Sequence, residues 1–245
     1  MWIWLVLAGL WAGTQNALAG GGSFVTLPTL ILAGLDPRAA NITSTVALFP
    51  GQVTTGFAGR RMVSGAEGLS FRTLFVLSLA GGVVGAVLLL ATPASFFARL
   101  VPWLVLFATA VFAWGSFVQK PRAEGVAPGR IPAAIAQFFI AIYGGYFGGG
   151  IGFLMLAALT AAGLPVRTAG ATKNVLAGVM NASAVLIFAF SHDVRWLKAL
   201  VLGAGAIVGG LVGAWMLRWV NERVLRIGVV ILGVALTVGL FVRGS

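Results

Sequence analysis

The sequence predicts an all-α, polytopic membrane protein, and its composition, its long apolar segments and an internal repeat support this fold class. Of the 245 residues, 60% are hydrophobic and only 9% are charged. Soluble domains carry about 25% charged residues, because a water-facing surface needs them. The composition therefore excludes a soluble enzyme, and it also excludes a disordered chain, which would have low hydrophobicity.

The chain is strongly basic, with 16 Lys+Arg against five Asp+Glu and a formal net charge of +11. In a soluble protein this excess would suggest a nucleic-acid partner. Here the cations fall mostly between apolar runs, as Arg60, Arg61 and Arg218 do, which is typical of the loops of membrane proteins. We therefore expect contact with membrane lipid and no binding of nucleic acid.

The sequence contains few residues of the types that act in catalysis or bind metals. There is no cysteine and one histidine, His192. This composition argues against a zinc or haem site, so we predict no metal, no cofactor and no enzyme activity. No phosphate-binding Gly-x-x-x-x-Gly-Lys-Ser/Thr motif occurs, so any transport would use an ion gradient, with a proton or sodium as the possible coupling ion.

Apolar runs predict the helices. A membrane helix needs roughly 20 apolar residues. Eight segments qualify: 2–19, 42–59, 73–91, 96–118, 131–147, 169–190, 196–217 and 224–242. Two further segments, 23–35 and 151–164, are too short to span a bilayer alone, and each follows a triplet of glycines.

A shift of 129 positions superimposes the two halves of the chain. Gly34 falls on Gly163, Arg38 on Arg167 and Thr43 on Thr172. We predict two homologous transmembrane repeats, 1–118 and 131–245, joined by a polar loop at 119–130. Each repeat would hold about four full helices and one short helix that is broken or re-entrant. If the short segments cross the membrane, each half has five crossings and the two halves are inverted. If they are re-entrant, each half has four crossings and the halves are parallel. The basic residues do not lie in equivalent loops of the two halves, which favours inversion.

Short, glycine-interrupted segments at matching places in two halves are the sequence pattern of a secondary transporter's binding site. A helix that begins inside the membrane leaves N–H groups unsatisfied, and its positive end favours an anion. Glycine lets a solute approach the backbone. The candidate residues are Gly20, Gly21, Gly22, Gly148, Gly149 and Gly150. The alternative is that these glycines only allow close helix packing, which is our expectation for 81–85 and 203–213.

Polar residues follow both short segments: Thr43, Ser44, Thr172, Lys173 and Asn174. Capping of a helix is the alternative role for the hydroxyl groups. A lysine in a membrane segment is a functional candidate, although it can also extend to the interface. Asn181 and its repeat counterpart Gln52 are further candidates for the transport pathway. The alternative is that these amides only join neighbouring helices by hydrogen bonds. Gln15, Asn16, Gln137 and Tyr143 are weaker candidates.

Several stretches together resemble a known family. They include Gly20-Gly21-Gly22-Ser23-Phe24, Gly34-Leu35-Asp36-Pro37-Arg38, Gly148-Gly149-Gly150 and Ala171-Thr172-Lys173-Asn174. In their order and duplication they resemble the TauE/SafE family of sulfite exporters, also called the 4-toluene sulfonate uptake permease family. The second short segment departs from the first, because it has Ala157 where the first has Pro28.

The resemblance implies a multi-pass carrier of the bacterial inner membrane that moves small sulfur-containing anions such as sulfite or organosulfonates. It implies a binding role for both glycine triplets and for Thr43, Ser44, Thr172, Lys173 and Asn181. Transport of another small organic anion and a non-transporting scaffold subunit are the alternatives. The sequence leaves the oligomeric state open.

Overall fold

The protein is all-α in the residues that the computed structural model describes, which are 1–18, 21–66, 68–118, 129–216 and 222–244. The fold class predicted from the sequence is confirmed. The helices of the first half are α1 Trp2–Leu18, α2 Ser23–Leu32, α3 Pro37–Gly59, α4 Phe71–Ala91 and α5 Ala94–Ala113, which a π turn continues over Trp114–Val118. The second half contains α6 Arg130–Tyr146, α7 Ile151–Ala161, α8 Val166–Phe188, α9 Trp196–Met216 and α10 Glu222–Gly244.

The helix lengths follow the same order in both halves. They are 17, 10, 23, 21 and 20 residues from α1 to α5, and 17, 11, 23, 21 and 23 residues from α6 to α10. The two short segments begin at Ser23 and Ile151, as the sequence predicted. Of the predicted loop 119–130, only its last two residues are described, and Arg130 already belongs to α6. The duplication itself stays a prediction.

Four of the described helices are long and apolar enough to cross a membrane by themselves: Phe71–Ala91, Ala94–Ala113, Thr168–Phe188 and Trp196–Gly213. This is fewer than the eight segments that the sequence suggested. α1 and α6 have only 17 residues each, and α3 is diluted by buried polar residues such as Asn41 and Thr43. The chain is nevertheless a polytopic membrane protein, with exposed tryptophans and leucines along its sides.

Both short helices end earlier than their apolar runs, and the cause is the same backbone motif. Gly34 has a φ of 88° and Gly163 a φ of 83°. After Gly34 the N–H of Leu35 donates to Leu30 O at 3.1 Å, and the matching bond closes α7 129 positions later. This 6→1 bond across a left-handed glycine is the Schellman motif, which stops a helix.

α3 begins five residues before the predicted segment, because its first turn is capped. The Asp36 carboxylate accepts hydrogen bonds from the N–H groups of Arg38 and Ala39 at 3.0 and 3.1 Å. Pro37 occupies the first helical position, where a missing N–H costs nothing. A polar start of this kind is invisible to a search for apolar runs.

The halves run in opposite directions. α3 and α8 cross at the centre of the molecule, where Asn181 bonds to Gln52 while Asn174 lies beside Gly56, so the two helices are antiparallel. α1 packs against α9, and correspondingly α6 packs against α4. Since α3 and α8 hold matching positions in the two halves, this is the arrangement expected of inverted repeats.

Each short helix returns the chain toward the face from which it came, so α1 with α2, and α6 with α7, form re-entrant hairpins. The expectation that re-entrant segments leave four crossings and parallel halves is therefore wrong, because it counted 2–19 and 131–147 as full crossings. The end of α2, at Leu32 and Ala33, lies beside Met1 and Trp4. We call this side the first face; it also holds the α4–α5 connection at 92–93 and the α8–α9 connection at 189–195, which Arg38 links. The second face holds the α3–α4 connection at 60–70 and the start of α6 at Arg130, which lies against Gly68.

Glycines set the distance between the packed helices. A Cβ at Gly205 would collide with Val6 O, and a Cβ at Gly209 would collide with Leu10 O. In the other pair, a Cβ at Gly85 would collide with Ile142 O. The predicted close helix approach is confirmed at Gly85, Gly205 and Gly209, and this is how membrane helices gain van der Waals contact. It is wrong for Gly210, which has no atom within 4 Å of its Cβ position and lines a cavity instead.

Candidate functional site

The two helical hairpins, α1–α2 and α6–α7, turn inside the molecule on glycines with left-handed backbone. Gly21 has a φ of 78°, and its counterpart Gly150, 129 positions later, has a φ of 73°. Gly148 also has a φ of 73°. Because residues with a Cβ rarely adopt this conformation, glycine is what allows α2 and α7 to start within the protein.

Side-chain amides fix the first hairpin tip. Asn16 Oδ1 accepts a hydrogen bond from the N–H of Gly22 at 2.8 Å, and Gln15 Nε2 donates to Gly21 O at 3.3 Å. Trp11 Nε1 in turn donates to Gln15 Oε1 at 3.1 Å. Backbone groups exposed by a helix break inside a membrane must find such partners. Gln15 and Asn16, weaker candidates in the sequence, therefore hold the break in place.

A cavity of about 50 Å³ lies where the two tips meet α3, α8 and α9. A single water needs about 10–15 Å³ of such space, so the cavity can hold a small solute. The lining residues are Gly13, Asn16, Ala17, Gly21, Ser23, Leu48, Gly51, Gln52, Gly148, Ile151, Gly152, Lys173, Asn174, Ala177, Ala206 and Gly210.

Lys173 gives the cavity its charge. It is the one ionisable side chain among the described residues that line the cavity, and no acid lies among them. Within the described part of the chain, its ammonium makes no hydrogen bond and no ion pair, and Nζ lies 3.5 Å from the place that a Cβ on Gly152 would take. Lys173 is the eighth residue of α8, about 10 Å along the helix, and it lies within the stretch Thr168–Phe188 that is long and apolar enough to cross a membrane.

Neutral donors surround this lysine. Asn16, Gln52 and Asn174 bring side-chain amides to the cavity wall, and Ser23 brings a hydroxyl at the start of α2. An amide can turn either its NH₂ or its oxygen toward a solute, whereas an ammonium only donates. The arrangement can therefore bind a small anion through one full positive charge and several hydrogen-bond donors.

Five of the predicted site residues line this cavity: Gly21, Gln52, Gly148, Lys173 and Asn174. Asn181 lies directly behind one of them, since its Nδ2 donates to Gln52 Oε1 at 2.6 Å. Gly22 lies at the first tip with its N–H bound to Asn16. Gly20 lies outside the described residues.

The structure does not bring the predicted hydroxyl residues into the cavity. Thr43 Oγ1 accepts from the N–H of Arg195 at 3.2 Å, and Thr172 Oγ1 accepts from the N–H of Ser64 at 3.1 Å. Each threonine links its helix to a connection between two helices of the other half of the chain. Ser44 is hydrogen-bonded to Thr26 instead. A binding role for these three residues stays a prediction.

The last two glycines of the second triplet also face protein. A Cβ at Gly150 would stand 2.7 Å from the Cβ of Ala108, and one at Gly149 would meet the ring of Phe147 at 2.5 Å. Gly51 and Gly152 also line the cavity, and neither was predicted from the sequence. The signal for Gly152 was its position two residues after the triplet, within the first turn of α7.

The fold and the site together define a class: a multi-pass helical membrane protein with a polar cavity at two interrupted hairpins. The family model described as "Sulfite exporter TauE/SafE" matches residues 5–240. The chain belongs to this family, as its motifs suggested, and it is a membrane transporter.

Curated relatives match along almost their whole length. A "Probable membrane transporter protein ORF9" of Sinorhizobium sp is 30% identical over 96% of this chain and 90% of its own. A "Probable membrane transporter protein" of Haemophilus influenzae is 27% identical over 95% of this chain and 91% of its own. "Probable membrane transporter protein YfcA" of Escherichia coli K12 is 26% identical over 95% and 87%. These names state transport and no substrate.

Proposed function

We propose that the protein is a secondary transporter that exports small sulfur-containing anions, such as sulfite or an organosulfonate, across the bacterial inner membrane. The observation that carries this proposal is the ammonium of Lys173, which faces the cavity between the hairpin tips and has no partner among the described residues. An unpaired charge inside a bilayer is expensive, so it calls for a counter-ion, and the solute can be that ion.

The size of the cavity favours a compact anion. About 50 Å³ suits a solute of a few heavy atoms, whereas an aromatic sulfonate would require the hairpin tips to separate. The family name supplies sulfite as the leading candidate. No motif for ATP use occurs in the sequence, so the gradient of the anion or of a coupling ion would drive transport.

The experiment is flux of sulfite into proteoliposomes containing the purified full-length chain. Lys173→Ala is expected to lower the initial rate about ten- to a hundredfold, because a hydrogen bond to a charged group contributes about 1.5–3 kcal/mol. Lys198→Ala is the matched control, since its Nζ donates to Ala33 O at the first face, away from the cavity. Equal rates for Lys173→Ala and the wild type would remove the site from the proposal.

Binding can be measured separately by thermal unfolding in detergent. A ligand that binds only the folded state at about 100 times its Kd stabilises it by about 2.7 kcal/mol. Sulfite is therefore expected to raise the Tm of the wild type and of Lys198→Ala, but not that of Lys173→Ala. A response to carboxylates alone would favour another organic anion. No flux together with a stable, stoichiometric protein partner would favour a scaffold subunit.

A further inference from the structure

We infer that the cavity selects compact anions of single negative charge, so that a divalent oxyanion such as sulfite crosses only as its singly protonated form and carries its own proton. This inference rests on the proposed function and names the ionic species that the site accepts. It follows from the balance of charge around the cavity.

The wall offers one full positive charge. α8 contributes Lys173 with Asn174 and Ala177, while α1, α3 and α9 contribute only uncharged residues, among them Asn16, Gln52 and Gly210. The tips contribute glycines, Ser23 and Ile151, which are uncharged as well. Lys173 is thus the one titratable group that faces a solute from any described element.

The helix ends at the tips add little to this charge. An N-terminus carries about +0.5 and a C-terminus about −0.5 of an elementary charge. α1 ends at Leu18 close to the start of α2 at Ser23, and α6 ends at Tyr146 close to the start of α7 at Ile151. Each positive helix end therefore lies beside a negative one, and their contributions oppose each other.

A dianion would consequently bring one uncompensated charge into a medium of low dielectric constant, which costs several kcal/mol. A monoanion leaves the cavity neutral. In the case of sulfite, the dianion gains one proton from water on one side of the membrane, enters as hydrogensulfite, and returns that proton to water after release. Protonation before entry and deprotonation after release balance, and the protein supplies no proton.

The described residues offer no carboxylate relay for a separate proton. Of the five acids in the sequence, Asp36 and Asp193 lie between helices and Glu222 is the first residue of α10, whereas Glu67 and Glu124 lie outside the described residues. His192 lies in the α8–α9 connection. Movement of the proton on the anion is therefore the simplest route by which flux could depend on the pH gradient.

The test compares three anions in proteoliposomes of the wild-type chain, with the same pH on both sides. Sulfite changes from monoanion to dianion as the pH rises, methanesulfonate stays a monoanion, and sulfate stays a dianion. We expect sulfite flux to fall about tenfold for each pH unit above the second pKa of sulfite. Methanesulfonate flux should stay constant, and sulfate flux should be at the level of empty liposomes.

Two outcomes would overturn the inference while leaving transport intact. Sulfate flux equal to methanesulfonate flux would show that a dianion passes. A parallel fall of sulfite and methanesulfonate flux would place the titration on the protein. Absence of flux for all three anions would instead overturn the proposed function.

A variant tests the charge balance directly. Asn174→Lys adds a second cation to the cavity wall, and we expect the ratio of sulfate to methanesulfonate flux to rise at least tenfold. Met62→Lys is the matched control, because it adds the same charge at an exposed position of the second face. An unchanged ratio in a folded Asn174→Lys protein would refute the charge matching.

Discussion

Asn181 Nδ2 donates a hydrogen bond to Gln52 Oε1 at 2.6 Å, and the two residues are 129 positions apart. This separation equals the offset at which the two halves of the sequence match. A residue that bonds to its own counterpart lies on the axis that relates the halves. The pair joins α3 to α8 directly behind the cavity wall, since Gln52 lines the cavity.

This relationship predicts that the two side chains can be exchanged. Gln52→Ala and Asn181→Ala should each lower the Tm in detergent, since interhelical hydrogen bonds in membranes contribute about 0.6 kcal/mol, and at most about 1.7. The double variant Gln52→Asn/Asn181→Gln keeps both amides and should unfold near the wild-type temperature. Strict additivity of the two alanine substitutions in a double-mutant cycle would show that the bond contributes nothing.

The first face is held by an ion pair. Arg38 Nη2 lies 2.9 Å from Asp193 Oδ2, and Arg38 Nη1 donates to Thr92 O at 2.7 Å. We expect Asp193→Asn to destabilise the protein by about 0.2–1 kcal/mol, the range for partly exposed pairs. The loss should shrink at high salt, because screening weakens the wild-type pair. Chemical unfolding at two salt concentrations measures it, and a salt-independent loss would contradict this origin.

Close packing of α1 on α9 should tolerate no side chain at Gly209. A Cβ there would collide with Leu10 O, so Gly209→Ala must push the helices apart, and we expect a clear fall in Tm. Gly239→Ala on α10 is the control, since no atom lies within 4 Å of its Cβ position and alanine favours helix. Equal melting temperatures of the two variants would contradict the packing.

The orientation in the membrane follows from the loops. Among the described residues, the α3–α4 connection at the second face carries Arg60 and Arg61, and Arg130 begins α6 there, whereas the described connections at the first face carry Arg195 alone. The positive-inside rule then places the second face in the cytoplasm.

Labelling of single cysteines can test this orientation cleanly, because the wild type has none. His192→Cys, on the first face, should react with a membrane-impermeant maleimide in right-side-out vesicles. Met62→Cys, exposed on the second face, should react only in inverted vesicles. The reverse pattern would invert the proposed orientation.

Local features of the sequence were sufficient for most of the fold. Each of the eight predicted apolar segments corresponds to a helix in the structure, and the two short helices begin at Ser23 and Ile151 as expected. Their ends were missed by three residues, because the stop depends on a left-handed glycine at Gly34 and Gly163 rather than on polarity. Among the site residues, Lys173 was found because its charge stands out in an apolar helix.

The sequence by itself determined that the chain is a helical membrane protein, and it singled out Lys173 as a charge within an apolar helix, while the duplication at an offset of 129 stays a prediction. The sequence could not determine where between the helices a cavity remains, since this depends on contacts between residues far apart in the chain. The tertiary structure decided this through side-chain volume. Gly51 leaves room in the cavity, whereas its counterpart Met180 is fully buried, with its sulfur against Gly144. The hydroxyl of Thr172 likewise bonds to Ser64 in the α3–α4 connection instead of facing the cavity. This contact joins residues far apart in the chain.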